Sequence, residues 1–524
     1  MEINKHLTAV LDALGHWPRF RLRLFAEGAV VGILSGLVIS LFRWALEMGT
    51  VWREYLYAQV LRPGGILAGT AWFALLLVAA FILWKLMIYE PDAGGSGIPQ
   101  VKGVITGAVR LRWFRVLWTK LLGGVLGIGL GLSLGREGPS IQIGAVTAQG
   151  LSRGLGRTAM EERYLLTAGA SAGLAAAFNA PLAGVMFALE ELHRNFSGAV
   201  VAPAMAAALL ATMVSRVVFG QSPIFHFGAL PALPLESMWI AVLVGVAAGL
   251  AGLVFNKGLL SMPRFYGLPC FRSGYSRFAF ALVVAGVLGY VFPQVLGGGN
   301  DLINSLHAMP LSLQLFAVLL AGKFLFTLIS YGCGAPGGFF LPMLVLGALT
   351  GGVVGTVLIQ AGLMEPQYLS DIIVLSMAAF FASSVQSPVT GTILIMEMTA
   401  SYEHLLVLCT ASMIALIVAQ RCGGRPIYDV LLQRLLRQSH PVLSSAERRS
   451  LLELTVVSGS AADGTCVGHI AWPRQTVLVD VKRSSGDFIP SPDLKLQAGD
   501  YLYILTDSIE SAEMIRRLVE SEKP

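Results

Sequence analysis

Apolar runs separated by short polar stretches fill most of the first 440 residues of the chain. A helix needs about 20 predominantly apolar residues to cross ~30 Å of hydrocarbon. The pattern therefore predicts an all-α polytopic membrane protein. The long runs cover residues 24–46, 67–88, 117–134, 200–218, 239–260, 278–292, 313–329, 343–359 and 405–419.

Shorter apolar stretches, broken by glycine and proline, lie between the long runs. We expect them to be too short to cross the hydrocarbon as straight helices. Broken helices are tolerated at membrane depth only where they are buried in protein or line a cavity. So many of them predict a transporter or channel with a site near the middle of the membrane. These stretches cover residues 140–148, 165–178, 181–189, 372–382 and 388–396.

The composition supports a membrane protein, because 55% of the 524 residues are hydrophobic and only 13% are charged. Soluble chains carry about a quarter charged residues. The net charge of +6 comes without a basic patch interleaved with aromatic residues, so we expect no nucleic-acid partner. Five cysteines, an odd number without a CxxC pair, argue against a disulfide framework or a zinc site.

The start of the chain is typical of a cytoplasmic segment. Residues 1–14 have the pattern of an amphipathic helix and not that of a signal peptide. Arg19, Arg21 and Arg23 precede the first apolar run, which places the N-terminus in the cytoplasm by the positive-inside rule. We therefore predict an N-terminal cytoplasmic amphipathic helix at residues 1–22 and a transmembrane transport domain at residues 23–440.

The end of the chain is polar and changes in pattern after about residue 441. Short β-like runs cover residues 451–457, 477–481 and 501–505, and an amphipathic helix follows them. We predict a small cytoplasmic α+β domain at residues 441–524, so that both termini are cytoplasmic.

Two short patterns occur twice in the same order along the chain. The pattern P-x-x-G-x5-E begins at Pro181 and again, 207 residues later, at Pro388. The pattern G-x3-P begins at Gly135 and again at Gly338, at a similar offset. Together they predict an internal duplication, and paired interrupted segments in corresponding halves of a membrane protein indicate its transport site.

Three glycine-rich motifs predict helix starts. In Gly95-Ser-Gly-Ile-Pro99, Ser96 would present its hydroxyl to an anion at a positive helix end, or the motif is an ordinary glycine-rich turn. In Gly135-Arg-Glu-Gly-Pro139, Glu137 either complements a helix dipole or has a functional role, as intramembrane carboxylates generally do. Such a carboxylate can occupy an anion site and leave it when protonated.

The third motif, Gly337-Gly-Phe-Phe-Leu-Pro342, offers the backbone N–H groups of Phe339 and Phe340 at a helix start, or is a packing turn with lipid-facing aromatic rings. Tyr428 starts an amphipathic helix and is either a ligand or a residue of the aromatic belt.

Two further charged positions leave alternatives open. Glu190 and Glu191 end an apolar segment, which is typical of a solvated helix end. Lys120 lies in an apolar run, either as a buried countercharge for an anion path or with its ammonium at the membrane interface.

Taken together, these motifs resemble the four signature regions of the CLC family of chloride channels and transporters, over roughly residues 20–440. The resemblance implies a homodimer in a lipid bilayer, with one chloride pathway in each subunit and two inverted halves of tilted and broken helices. It implies that chloride is bound by the hydroxyls of Ser96 and Tyr428 and the amides of Phe339 and Phe340. Residues of the same motifs that would support the site are Gly95, Gly97, Pro99, Lys120, Gly135, Arg136, Gly138 and Pro139.

The resemblance also implies a mechanism. Glu137 corresponds to the external gate, and Glu191 falls on the inward proton-transfer residue that antiporters carry and channels replace with an apolar residue. We therefore expect a chloride/proton antiporter in a prokaryotic inner membrane, with a passive voltage- or pH-gated chloride channel as the alternative. Serine in the first motif implies chloride rather than nitrate as the substrate.

The C-terminal segment departs from the paired CBS modules of eukaryotic members. Its pattern resembles the TrkA-C regulatory domain, which implies dimerisation and a possible small regulatory ligand. The alternative is a passive appendage. We expect no cofactor.

An intramembrane enzyme is a rival of a different class. It would need a nucleophile beside a partnered histidine or a metal set. None of the eight histidines lies in the middle of an apolar run beside a second ligand or a GxSxG serine, so we expect no enzyme.

Overall fold

The computed structural model describes residues 2–194, 196–227, 231, 233–439, 450–473, 476–483, 486–488, 490–506 and 509–520. It does not describe the side chains of residues 2–21, 235, 307, 438, 439, 450, 451, 453, 486, 487, 509, 510, 512, 513 and 520. The chain forms two compact units, Met1–Gln433 and Arg434–Pro524. The division falls within a single helix, Ile427–Ser439.

The first unit is built from helices of very different lengths, together with two π-helical turns at Leu56–Leu61 and Ala188–His193. The α-helices are α1 Glu2–Tyr55, α2 Gly65–Tyr89, α3 Ile98–Ile105, α4 Trp113–Gly129, α5 Glu137–Gly154, α6 Ala159–Phe178, α7 Pro181–Phe187, α8 Gly198–Phe219, α9 Met238–Phe265, α10 Gly274–Val291, α11 Asn300–Ser305, α12 Leu313–Gly332, α13 Phe340–Gln360, α14 Leu369–Val385, α15 Pro388–Thr399, α16 Leu405–Arg421 and α17 Ile427–Ser439.

The helix that we predict at residues 1–22 is not a separate element, because α1 continues without a break from Glu2 to Tyr55. Within the described part of the chain, eight helices are long and apolar enough to cross a membrane. Seven of the nine long runs predicted from the sequence lie in these helices, which makes this a multi-pass membrane protein.

Two predictions of span length are wrong. The run at 117–134 forms only the 17-residue helix α4, which ends at Gly129 and is followed by Gly131 in a left-handed backbone conformation. The stretch at 372–382 lies in a helical span of 20 residues, Pro366–Val385. Its polar Asp371 interrupts the apolar pattern but is buried against His404, with Oδ1 and Nε2 3.1 Å apart.

Glycines bring the helices of this unit into close contact. A Cβ atom at Gly144 of α5 would lie 2.1 Å from the carbonyl oxygen of Gly169 in α6, and one at Gly169 would lie 2.2 Å from that of Gly144. Small residues allow such approach in membranes, where helix association depends on packing rather than on apolar burial.

The two copies of the repeated pattern contact each other reciprocally. The Glu397 carboxylate, in the last turn of α15, accepts hydrogen bonds from the first amides of α7, Leu182 at 3.1 Å and Ala183 at 2.8 Å. The Glu190 carboxylate, after α7, accepts them from Val389 at 3.4 Å and Thr390 at 2.7 Å in α15. Each copy thus caps the helix start of the other, as halves related by a pseudo-two-fold axis would.

A second pair of equivalent positions supports the duplication. The Lys120 ammonium donates to the carbonyls of Ala93 and Gly95, at 2.9 and 2.6 Å. The Lys323 ammonium donates to those of Val295 and Gly297, at 3.0 and 2.7 Å. Both lysines are completely buried. The two halves therefore share an internal brace that the sequence patterns do not reveal.

The second unit contains the strands β1 Ser450–Thr455, β2 Val477–Arg483, β3 Gly486–Phe488 and β4 Tyr501–Thr506, and the helix α18 Ile509–Glu520. The strands form an antiparallel sheet in the order β1-β4-β2-β3. Alternate residues of β4, Leu502 and Ile504, are buried with Ile515 of α18, so one sheet face packs against the helix. The strands β1, β2 and β4 overlap the predicted β-like runs, and β3 is too short to be predicted from the pattern.

Candidate functional site

Three helix N-termini of the first unit meet at the glycine-rich motifs. The Gly135 amide donates to the carbonyl of Gly338 at 2.6 Å, and the Gly338 amide donates back at 2.9 Å. The Gly337 amide donates to the carbonyl of Gly95 at 3.0 Å. These bonds join the loops before α3, α5 and α13, so three partly positive helix ends lie close together.

Ser96 is buried at this meeting point, before α3. A Cβ atom at Gly138 would lie 2.8 Å from the Ser96 carbonyl oxygen and 3.0 Å from its Cβ, so only glycine lets the loop approach the start of α5. The next residue, Gly97, has a φ of 85°, a left-handed conformation that turns the chain into α3. Pro99 is in the first turn of α3, where it costs no hydrogen bond.

Glu137 is the first residue of α5 and is 0% exposed. Its side chain lies over Gly135, because a Cβ atom there would be 2.2 Å from Oε2 of Glu137 and 3.1 Å from the Leu341 amide nitrogen. The carboxylate therefore occupies the position near the start of α13 that suits an anion. The adjacent Arg136 is directed to another partner, with Nη1 3.3 Å from Oε1 of Glu47.

Tyr428 and Phe339 form the aromatic wall of the site. Their rings stack, with centroids 5.3 Å apart and an interplanar angle of 23°. Phe340 is buried among other rings and contacts Phe381 at 5.0 Å. The alternatives of a belt tyrosine and of lipid-facing phenylalanines are therefore wrong. Tyr331, which the sequence analysis missed, packs edge-on against Phe339 at 4.9 Å.

Several buried polar atoms of this site have no hydrogen bond of good geometry among the described residues. They are the hydroxyl oxygens of Ser96 and Tyr428 and both carboxylate oxygens of Glu137. Unsatisfied buried polar groups are rare in folded proteins, and each one calls for an explanation such as a ligand or a functional change. Lys120 is fully buried and holds the carbonyl of Gly95, so its ammonium does not lie at the membrane interface.

Glu191 lies elsewhere, in the π-helical turn after α7, and is 1% exposed. Its Oε1 is 2.7 Å from Nζ of Lys102, and its Oε2 accepts a hydrogen bond from Oγ of Ser387 at 3.1 Å. The solvated helix end that the sequence allowed is therefore wrong for Glu191.

The same lysine has a second carboxylate partner. Nζ of Lys102 is 2.5 Å from Oδ1 of Asp429, and Oδ2 of Asp429 is 2.8 Å from Nη2 of Arg194. Sequence reasoning missed this cluster, although Lys102 is the only charged residue of α3.

Comparison with known proteins supports one family for the first unit. A model described as voltage gated chloride channel matches residues 75–420, and a model of the TrkA-C domain matches residues 451–519. The chain is 35% identical to an H(+)/Cl(-) exchange transporter ClcA of Vibrio campbellii over 459 residues, which cover 82% of this chain and 96% of that protein.

A second relative is the H(+)/Cl(-) exchange transporter ClcA of Salmonella agona, 34% identical over 79% of this chain and 89% of that protein. The crystal structure of a slow cyanobacterial Cl-/H+ antiporter is similar in fold, with a TM-score of 0.74 and 33% identity. This similarity covers 80% of the chain and 99% of the cyanobacterial protein.

Proposed function

Because the chain belongs to the voltage-gated chloride channel family, we propose that it exchanges chloride for protons across a membrane. The observation that carries this proposal is the pair of buried carboxylates, Glu137 without a side-chain hydrogen-bond partner and Glu191 in a buried ion pair. Intramembrane carboxylates are costly and are commonly used for proton transfer. The exchangers to which the chain is similar act on chloride and protons by name.

The anion is held where the three helix starts meet. The hydroxyls of Ser96 and Tyr428 donate hydrogen bonds to chloride, and so do the backbone amides of Phe339 and Phe340 at the start of α13. The partly positive ends of α3, α5 and α13 stabilise the negative charge without a full cation at the ligand. Gly95, Gly97, Gly135 and Gly138 permit the close approach of the loops that this geometry needs.

Glu137 is the external gate and proton acceptor. Its ionised carboxylate competes with chloride, because both are anions suited to the same helix ends. Protonation removes the charge, weakens the attraction to the helix ends and frees the position for chloride. One carboxylate thereby links the arrival of a proton to the movement of an anion.

Glu191 is the internal proton-transfer residue. It is buried in the π-helical turn after α7, an element to which none of the glycine-rich loops belongs. Protons that pass between Glu137 and Glu191 therefore leave the chloride path on the inner side. This separation lets the two ions move in opposite directions through one subunit.

The test is proton movement into liposomes that contain the purified protein, driven only by a chloride gradient. Exchange predicts uphill proton uptake in step with chloride flux, and Glu137→Gln and Glu191→Gln each abolish the uptake. Chloride flux without coupled proton movement would contradict exchange and favour a passive chloride channel.

The wider assembly follows the family. The protein is a homodimer in a prokaryotic inner membrane, with both termini cytoplasmic and no cofactor besides the transported ions. Exposed apolar side chains on α8 and α16 support a face for the second copy, among them Met213, Val217, Met413 and Ile417. Subunit counting by photobleaching in lipid tests it, and a single bleaching step per particle would contradict the dimer.

The C-terminal domain, residues 441–524, regulates the transporter, and residues 23–440 form the transport domain, which the N-terminal residues 1–22 precede as part of α1. Its likeness to the TrkA-C domain supports this role and a small regulatory ligand. Deleting residues 445–524 should change the activation of transport and leave the preference for chloride intact. Unchanged activation by pH and by small-molecule ligands would contradict regulation.

A further inference from the structure

Lys102 is a buried cation that the mechanism above does not use. It lies in the last turn of α3, the helix whose start follows Ser96. Its side chain is 5% exposed, and its ammonium contacts two carboxylates from distant parts of the chain, Glu191 and Asp429. Asp429 directly follows Tyr428 in the sequence. Lys102 therefore links Glu191 to α3, which follows Ser96, and to α17, which contains Tyr428, and the hydroxyls of these two residues are the proposed chloride ligands.

In the cluster of successive ion pairs that starts at Glu191, each side chain is more exposed than the one before it. Glu191 is 2% exposed, Lys102 5%, Asp429 26% and Arg194 53%, counting side chains only. The lysine is thus the buried member between the inner glutamate and the solvent side of the cluster. It contacts the Glu191 carboxylate directly, so its charge acts on that carboxylate with little screening.

The charges around Glu191 balance only when it is ionised. Two cations then face two carboxylates, whereas protonation of Glu191 leaves one positive charge in excess. Without the lysine, the ionised form would instead leave one negative charge in excess. The charged and titratable groups that face Glu191 are Lys102 from α3, Asp429 and Tyr428 from α17, and Arg194 after the π-helical turn. Arg163 of α6 acts on His193 instead.

We propose that Lys102 is a positioning residue that holds Glu191 ionised and in place, and thereby sets the cytoplasmic pH at which protons enter the exchange cycle. This inference rests on the proposed function, because it takes Glu191 as the residue that carries the proton. Removing one partner of a buried ion pair leaves the other charge uncompensated. Without the lysine, Glu191 accepts a proton at a higher pH.

The experiment measures coupled proton and chloride flux in liposomes as the pH on the cytoplasmic side of the protein is varied. Lys102→Met should move the midpoint of the profile upward by about one pH unit or more. Lys102→Gln should do the same, because it also removes the charge. Lys102→Arg keeps a cation and should retain the wild-type midpoint. Equal chloride flux at acidic pH, where Glu191 is protonated in every variant, shows that the variants fold.

A matched control is Arg153→Met, which removes a cation from a different ion pair, with Glu162 at 3.3 Å, and should leave the midpoint unchanged. The Glu191→Gln background isolates the route of the effect, since coupling between residues appears as non-additivity in a double-mutant cycle. There, Lys102→Met should not change the pH dependence of chloride flux any further.

Each remaining outcome decides one claim. An unchanged midpoint in Lys102→Met, or the same upward shift in Lys102→Arg, would overturn the charge-based role of the lysine. A shift that persists in the Glu191→Gln background would show that Lys102 does not act through Glu191. Proton coupling that survives Glu191→Gln alone would instead overturn the role of Glu191 in proton transfer, and wild-type chloride flux without coupled protons would overturn the proposed function, whatever the lysine variants do.

Discussion

Glu137 and Glu191 are both buried, and their surroundings differ. The Glu137 carboxylate lies against glycine backbone and helix starts, and among the described residues neither oxygen has a side-chain hydrogen-bond partner. The Glu191 carboxylate is fixed by an ammonium at 2.7 Å and a hydroxyl at 3.1 Å. The Glu137 carboxylate is attracted by the charge of the adjacent Arg136, without an ion pair, and by helix-start amides that an anion can equally satisfy, whereas Glu191 is held by a cation in direct contact.

This difference explains how two residues of one type can have different roles. A group without fixed partners can leave its position at low cost, which suits a gate. A group in a buried ion pair is costly to move, because the pair must be broken and its partner left uncompensated. We therefore expect Glu137 to affect both ions and Glu191 to affect protons alone.

The largest expected effect comes from Glu137→Gln. Glutamine cannot titrate, so proton uptake should fall by at least about 100-fold, while chloride flux should persist and lose its dependence on pH. Parallel chloride and proton flux assays in liposomes measure this. Glu365→Gln changes an exposed loop carboxylate and is the control. Uphill proton uptake that survives in the Glu137 variant would show that Glu137 is not the proton acceptor.

Glu191→Gln should have a narrower effect. Proton uptake should again fall by about 100-fold or more, because the transferring group is lost. Chloride flux should keep the pH dependence that Glu137 imposes from the outside. The same flux assays, with the pH varied separately on each side, distinguish the two variants. Loss of the external pH dependence in the Glu191 variant would contradict the division of roles.

Glu190 is a carboxylate next to Glu191 for which we expect no role in proton transfer, because it caps α15 and does not contact Lys102. Glu190→Gln and Glu397→Gln each weaken one of two reciprocal caps, and each should destabilise the protein by about 1 kcal/mol. Thermal unfolding in detergent measures this, and the coupling of protons to chloride should stay intact. A loss of coupling without a loss of stability would assign Glu190 to the proton path.

The smallest effect concerns a carboxylate outside the membrane. Burial raises the pKa of Asp500. The Arg483 guanidinium donates hydrogen bonds to its carboxylate at 2.7 and 2.8 Å, the Gln497 amide donates another, and the charge of Arg483 adds to them, so that together they lower the pKa by more than burial raises it. The net pKa lies below its ordinary value. The stability this adds is present above about pH 4, the ordinary pKa of aspartate, and is lost as the pH falls further.

Hydrogen exchange of the β-strands in the full-length protein measures this local stability. Protection of the strand amides should be constant above about pH 4 and decrease below it. The Asp500→Asn variant should be less protected at neutral pH, and its protection should depend less on pH. Equal profiles for the two proteins would show that the Arg483 pair does not stabilise the domain.

Local signals in the sequence predicted much of the site. Glycine and proline at the ends of the motifs indicate helix starts, and the structure begins α5 at Glu137 and α13 at Phe340. The repeat was also detectable from its recurring patterns, and the reciprocal caps between its two copies agree with it. These features depend on neighbouring residues or on patterns that recur in the chain.

Contacts between distant residues were not predictable. Lys102 and Glu191 are 89 positions apart, and apolar patterns do not say which buried charges meet. The span containing Asp371 was missed for the same reason, because its partner His404 lies beyond the next helix, just before α16. When the partner of a buried polar residue is not known, the sequence pattern places the end of an apolar run at that residue.

The most direct test of the account is the membrane potential at which no net chloride moves, measured in liposomes with fixed chloride and potassium gradients, with and without a pH gradient. We predict that the pH gradient shifts this potential for the wild-type protein and not for Glu137→Gln or Glu191→Gln, both of which still conduct chloride. A wild-type potential that follows the chloride gradient alone would contradict coupled exchange and with it the distinct roles of the two buried carboxylates.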